Sequence, residues 1–267
     1  MGAAIGGAVL QPQSPSTFEA VLVINALTQV VFGCLLVWTG ETNPSRSPAA
    51  PVAGGYRRVL NDRALLATVA LNGLIVIAAF GQITSAFAAW ATKAAHTSTS
   101  VVGWAWTANT FTIVIAQLFV LRFVGGYRRT RATAGAALLF GLCWLVTLAG
   151  GVIDGALGAA GLIVALAIFG PGETLLSPSM PPMVNDLAPD ALRGRYNAIY
   201  NLSWQSGLVI GPALAGFVLA RGWGVAYFAS LAACCGLAAA DSATRRWCRS
   251  RAASDASAPS SWRCRGT

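Results

Sequence analysis

Residues 155–183 form an apolar run interrupted by a single charge, Glu173. An uncompensated carboxylate in such a run is costly. In a low-dielectric setting a carboxyl group can exchange a proton near neutral pH or meet a cationic ligand. A structural reading stands beside that one. The Gly170-Pro171-Gly172 break next to it frees backbone groups that a protonated or hydrogen-bonded glutamate would satisfy. Uncharged amides recur in the other runs: Asn25, Asn72 with Gln82, Asn109 with Gln117, and Asn201 with Gln205. They offer donors and acceptors without fixed charge, as the wall of a ligand path needs, or they tie helices together at about 0.6 kcal/mol each. Trp104, Trp106 and Trp204 can stack on a flat apolar ligand or anchor at a lipid–water interface.

Gly207 and Gly211 are one helical turn apart, with Pro212 and Gly216 following. This spacing predicts a close helix–helix contact, and the proline predicts a break in the hydrogen-bond ladder. Arg128, Arg129, Arg193 and Arg195, like Asp186 and Asp190, lie in connections between apolar runs. They suit ion pairs that open and close a gate, and equally a positive-inside anchor.

Other chemistry is excluded. None of the six cysteines is paired at zinc-ligand spacing, and His96 is the single histidine, so no metal or cofactor is expected. An intramembrane metalloprotease needs H-E-x-x-H and a serine protease needs a serine–histidine pair within a span. The chain is not expected to be an enzyme. A retinal pigment needs a mid-span lysine, and the one lysine, Lys93, ends its run.

The elements that must position these residues follow from composition. Of 267 residues, 55% are hydrophobic and 10% charged, and the mean hydropathy is +0.62. A soluble domain carries about a quarter charged residues, so this chain belongs in a membrane. A formal charge of +9 lies in the gaps between runs rather than on a basic soluble module, which points to lipid head groups and not to nucleic acid.

Windows at 20–40, 64–92, about 100–121, 132–153, 155–183, 196–220 and 222–240 predict seven full spans, with an apolar stub at 1–10. Long continuous runs require an all-α bundle, not a barrel. All of the 18 basic residues except Lys93 and Arg221 fall on alternate connections and the tail. The 41–62, 122–131 and 184–195 segments and the C-terminus are therefore expected in the cytoplasm. Residues 242–267 read as a disordered basic tail near anionic lipid.

An internal repeat is also visible. Gly2-Ala3-Ala4-Ile5-Gly6-Gly7 matches Gly211-Pro212-Ala213-Leu214-Ala215-Gly216 in character, and one further span follows each. Projected onto the second repeat, which starts near residue 60, the match predicts roughly 150 residues upstream and places Met1 inside a helix.

With these motifs in order, the sequence resembles the major facilitator superfamily, most closely its bacterial drug-efflux branch. YRRVLNDRALLATVALNGL is similar to the start of the family's seventh helix, and GWAWTANTFTIVIAQLFVLRFVGGYRR to the eighth helix and its basic loop. GPGETLLSPSMPPMVNDLAPDALRGRYNAIYN is similar to the tenth helix and the turn into the eleventh, and GLVIGPALAG to the eleventh itself. The basic loop keeps Gly125, Gly126, Arg128, Arg129 and Arg131 but lacks the family's acidic residue.

The resemblance implies a multi-pass cell-membrane transporter in which 1–40 ends the N-terminal half, 41–62 connects, 63–241 forms the C-terminal half and 242–267 is the tail. It implies alternating access, with proton-coupled export of small amphipathic compounds or drugs through Glu173, Gln82, Asn109, Gln117, Asn201 and Gln205. Gly207, Gly211, Pro212 and Gly216 would lie where the halves rock. The alternative expectation is a truncated, non-transporting remnant of such a protein.

Overall fold

The computed structural model describes residues 15–39, 55–123 and 129–244. Every regular element among them is a helix. The expected all-α membrane bundle is therefore the fold, and backbone satisfaction in lipid is the physical reason. Helix α1, Pro15–Thr39, carries the first apolar run, of which Leu22–Leu35 is the apolar stretch. It is exposed along its described length. A short helix α2, Gly55–Leu60, falls in the segment expected to be a plain connection.

Six helices long and apolar enough to cross a membrane follow: α3 (Arg63–Ala94), α4 (Thr99–Phe123), α5 (Arg129–Val152), α6 (Gly155–Leu187), α7 (Arg193–Leu219) and α8 (Gly224–Thr244). Seven full spans were expected. Among the described residues six meet that description, and the first expected span coincides with the 25-residue helix α1. The 1–10 stub, its repeat with 211–216, and the tail from 245 lie outside the described residues.

The predicted breaks at proline do not occur: α-helix continues through Pro171 in α6 and through Pro212 in α7. Distortion falls instead on a turn at Ser177–Ser179 of α6, around Pro178, and on α3, which has no proline. It contains π-helical turns at Val76–Phe80 and Trp90–Ala94, and a turn at Thr84 and Ser85. Irregular backbone at membrane depth is tolerated only where other groups satisfy it. Side chains do so here. Gln82 Nε2 donates to the Ile77 carbonyl at 2.7 Å, Trp144 Nε1 to Ala78 at 2.8 Å, and Ser85 Oγ to Gly81 at 3.0 Å.

Helix α6 packs against α4 and α5, α8 against α5, and α7 runs along α3. The main core is aromatic, with Phe87, Phe140, Trp144, Phe169 and Phe228 fully buried. A smaller core of Val59, Leu65, Val184, Ala188, Leu192 and Tyr196 closes the end that carries Arg63, Arg129 and Arg193. The expected glycine contact exists, but its partner is α3. A Cβ on Gly207 would lie 2.6 Å from Val76 Cγ1, and one on Gly211 would lie 2.7 Å from the Cα of Gly81. Gly216 is exposed with nothing within 4 Å of such an atom, and Pro212 is half-buried.

Candidate functional site

Glu173 lies near the middle of α6, one turn before the bend at Ser177–Ser179, and is half-buried. Helical spacing sets it one turn beyond Phe169 and Gly170. The Phe169 ring packs on Phe80 of α3 at 5.5 Å, and Gly170 abuts Asn109 and Thr112 of α4. Glu173 therefore belongs to the side of α6 that meets α3 and α4. Its side chain makes no hydrogen bond or ion pair with a described residue. The Gly170 carbonyl beside the expected break does not recruit it: Thr174 Oγ1 donates there at 2.9 Å instead.

The amides divide into two groups. Gln82, Asn109 and Asn72 are buried and bonded. Gln82 Nε2 also donates to the Gly211 carbonyl at 3.1 Å, while its Oε1 accepts from the Tyr227 hydroxyl at 2.7 Å, so one side chain joins α3, α7 and α8. Asn109 donates to the Leu166 carbonyl at 3.2 Å, and Asn72 to Ser203 Oγ at 2.8 Å.

Gln117, Asn201 and Gln205 are exposed, as is Asn25 on α1. They sit on the least covered helices. Of the apolar windows, 11% is buried in α4 and 17% in the α7 span, against 50% in α3, so these amides face outward from the six-helix unit. Trp204 stands beside Gln205 and packs on Phe80 in a tilted contact at 4.8 Å, Trp106 is half-buried, and Trp104 is exposed.

At the Arg-bearing end, Arg129 and Asp186 form an ion pair between α5 and α6, both exposed. Arg193 pairs locally with Asp190 at 2.7 Å. Arg195 pairs with no carboxylate among the described residues and lies over the Tyr56 ring at 5.8 Å. Arg128 lies outside the described residues.

The structure adds a link that charge counting missed. Asp62 caps α3, accepting from the Ala64 amide at 3.0 Å and the Leu65 amide at 3.3 Å, and also accepts from the Tyr196 hydroxyl of α7 at 2.7 Å. An aspartate directly before an apolar helix is a readable cap signal, but its tyrosine is 134 positions away. Among the described residues no three His, Cys, Asp or Glu side chains are grouped to hold a metal ion.

Six antiparallel spans with polar side chains on their least covered faces match a known architecture. Residues 70–258 match the family model of the Major Facilitator Superfamily. The chain belongs to that superfamily. It is 26% identical over 223 residues to the uncharacterized MFS-type transporter YttB of Bacillus subtilis strain 168, covering 82% of this chain and 53% of that protein. It is 34% identical over 73 residues to the uncharacterized MFS-type transporter YhjO of the same strain, covering 27% and 18%.

A crystal structure of the peptide transporter POT, in a mutant form, superposes with a TM-score of 0.56 at 20% identity, covering 87% of this chain and 52% of that one. The major facilitator fold is thus the fold of this bundle. The chain spans about half the length of YttB and of the POT chain. This superfamily member is a multi-pass membrane protein of a secondary-transporter family.

Proposed function

We propose that residues 63–241 form one six-helix half of a proton-coupled exporter of small amphipathic compounds, which works by alternating access. Residues 1–40 then belong to the other half and 41–62 join the two. Glu173 carries this reading. A carboxyl group at span depth, on the side of α6 that meets α3 and α4 and without a described partner, is free to exchange a proton or meet a cationic substrate. The exposed amides Gln117, Asn201 and Gln205 supply neutral polar contacts toward the facing half, and Trp204 with Phe80 supplies an aromatic surface. Gln82 and Asn109 shape this wall from behind through their bonds to α7 and α6.

The arginine excess supports an orientation in a cell membrane with the Arg-bearing end and the C-terminus in the cytoplasm. Arg129 and Asp186 act there as a gate pair that loosens when the halves rock. The close seam of Gly207 and Gly211 on α3 makes α3 and α7 move as one body.

The test is proton movement in proteoliposomes holding the full chain, driven by a fluorescent amphipathic cation. The expected result is substrate-dependent proton flux that Glu173→Gln abolishes while tryptophan quenching by the substrate persists. Flux unchanged in Glu173→Gln overturns the role of Glu173. Absence of flux in the unsubstituted chain overturns transport by this chain alone.

A further inference from the structure

The carboxylates at the Arg-bearing end are already committed. Asp62 caps α3 and holds Tyr196, Asp186 pairs with Arg129, Asp190 pairs with Arg193, and Asp241 at the end of α8 has an interaction of its own. Arg57, Arg58, Arg63, Arg131 and Arg195 are left without a carboxylate among the described residues. Arg195 is the sharpest case, because its Nη1 atom is buried with no hydrogen-bond partner among the described residues. A buried guanidinium N–H without an acceptor is costly, and native structures rarely leave one so.

The surroundings of Arg195 specify the missing acceptor. Its guanidinium lies over Tyr56 at 5.8 Å, which brings the start of α7 against α2. On α2, Val59 is fully buried in the smaller core, while Arg57 and Arg58 are exposed and Tyr56 and Leu60 are 52% and 48% exposed. This is a short amphipathic element lying where the apolar spans end, at head-group depth. A planar guanidinium fork fits phosphate oxygens, and basic pockets between spans at this depth suit phospholipid head groups. The exposed Tyr56 and Leu60 beside the arginines favour a ligand with an apolar part over a soluble anion.

We propose that Arg195, with Arg57 and Arg58, binds the phosphate of an anionic phospholipid, and that this lipid fastens α2 to the starts of α3 and α7. The site goes beyond the transport reading and does not rest on it.

The full chain, purified in detergent and stripped of lipid, is titrated with phosphatidylglycerol, phosphatidylcholine or inorganic phosphate at matched ionic strength. Retained lipid is read by native mass spectrometry and stability by thermal unfolding. The expected result is selective retention of phosphatidylglycerol and a rise in Tm of about 3–6 °C at tenfold excess over Kd. Arg195→Gln loses both effects. So does Arg57→Gln/Arg58→Gln, which alters exposed positions only and keeps the fold, whereas Arg131→Gln on α5, the same single charge loss as Arg195→Gln, keeps both.

Equal retention of phosphatidylcholine, or no retention of either lipid, overturns the proposal. So does phosphatidylglycerol selectivity that survives in the variants. An equal rise with inorganic phosphate makes the site one for a soluble anion and overturns the lipid assignment.

Discussion

The Tyr227 hydroxyl donates to Gln82 Oε1 at 2.7 Å, and the same Gln82 side chain donates through Nε2 to the Ile77 and Gly211 carbonyls. This one amide therefore serves the π-helical turn of α3 and holds α7 and α8 to it. Polar groups buried in a membrane bundle must be satisfied internally, and here the satisfaction falls at the most irregular part of the backbone.

Replacing Gln82 by Leu leaves two carbonyls without this donor and the Tyr227 hydroxyl without its acceptor. It is expected to destabilise the chain by about 2 kcal/mol, while Tyr227→Phe removes one bond at about 0.6 kcal/mol. Unfolding of the two single variants and the double variant in mixed micelles measures their coupling. Full additivity would show that the two side chains do not interact.

The seam between α3 and α7 has no room for a methyl group. Gly211→Ala sets a Cβ 2.7 Å from backbone Cα of Gly81, so overpacking of about 1–3 kcal/mol is expected. Gly216→Ala meets nothing within 4 Å and is expected to leave the unfolding midpoint unchanged. Equal midpoints for the two variants would remove the seam from the account.

Asp62 holds the start of α3 in two ways. Asp62→Ala loses the cap and the Tyr196 bond together, at about 1–3 kcal/mol, while Tyr196→Phe loses only the second. Hydrogen exchange at Ala64 and Leu65 should rise in Asp62→Ala and stay low in Tyr196→Phe.

The Arg129–Asp186 pair is exposed on both sides, so its contribution to stability is expected to stay below about 1 kcal/mol and to fall with added salt. A gate role is read elsewhere. Under the transport reading, Arg129→Asp should depress flux and Arg129→Asp/Asp186→Arg should restore it, with little change in unfolding.

Orientation is checked with a cysteine-free background. A membrane-impermeant maleimide applied to intact cells should label Asp154→Cys and leave Ala191→Cys unlabelled until the cells are opened. Both positions are exposed and lie at opposite ends of α6 and its following turn.

By itself the sequence determined the membrane class, the all-helical fold, the superfamily and the span limits to within a few residues. These depend on composition and on run length against bilayer thickness, which are local and additive. Gly207 and Gly211 were legible as a close-packing pair for the same reason, since spacing along one helix fixes a face.

Which surface received that face was decided only by the tertiary structure, as was the placing of distortion on the proline-free α3 and at Ser177–Ser179 instead of at Pro171 or Pro212. A kink depends on whether distant donors such as Trp144 and Gln82 reach the freed carbonyls. The same holds for the amides. Gln82 and Gln205 look alike in sequence, yet Gln82 is buried with three partners on α3, α7 and α8, and Gln205 faces outward. Burial is a property of neighbours more than a hundred positions away, and no local pattern carries it.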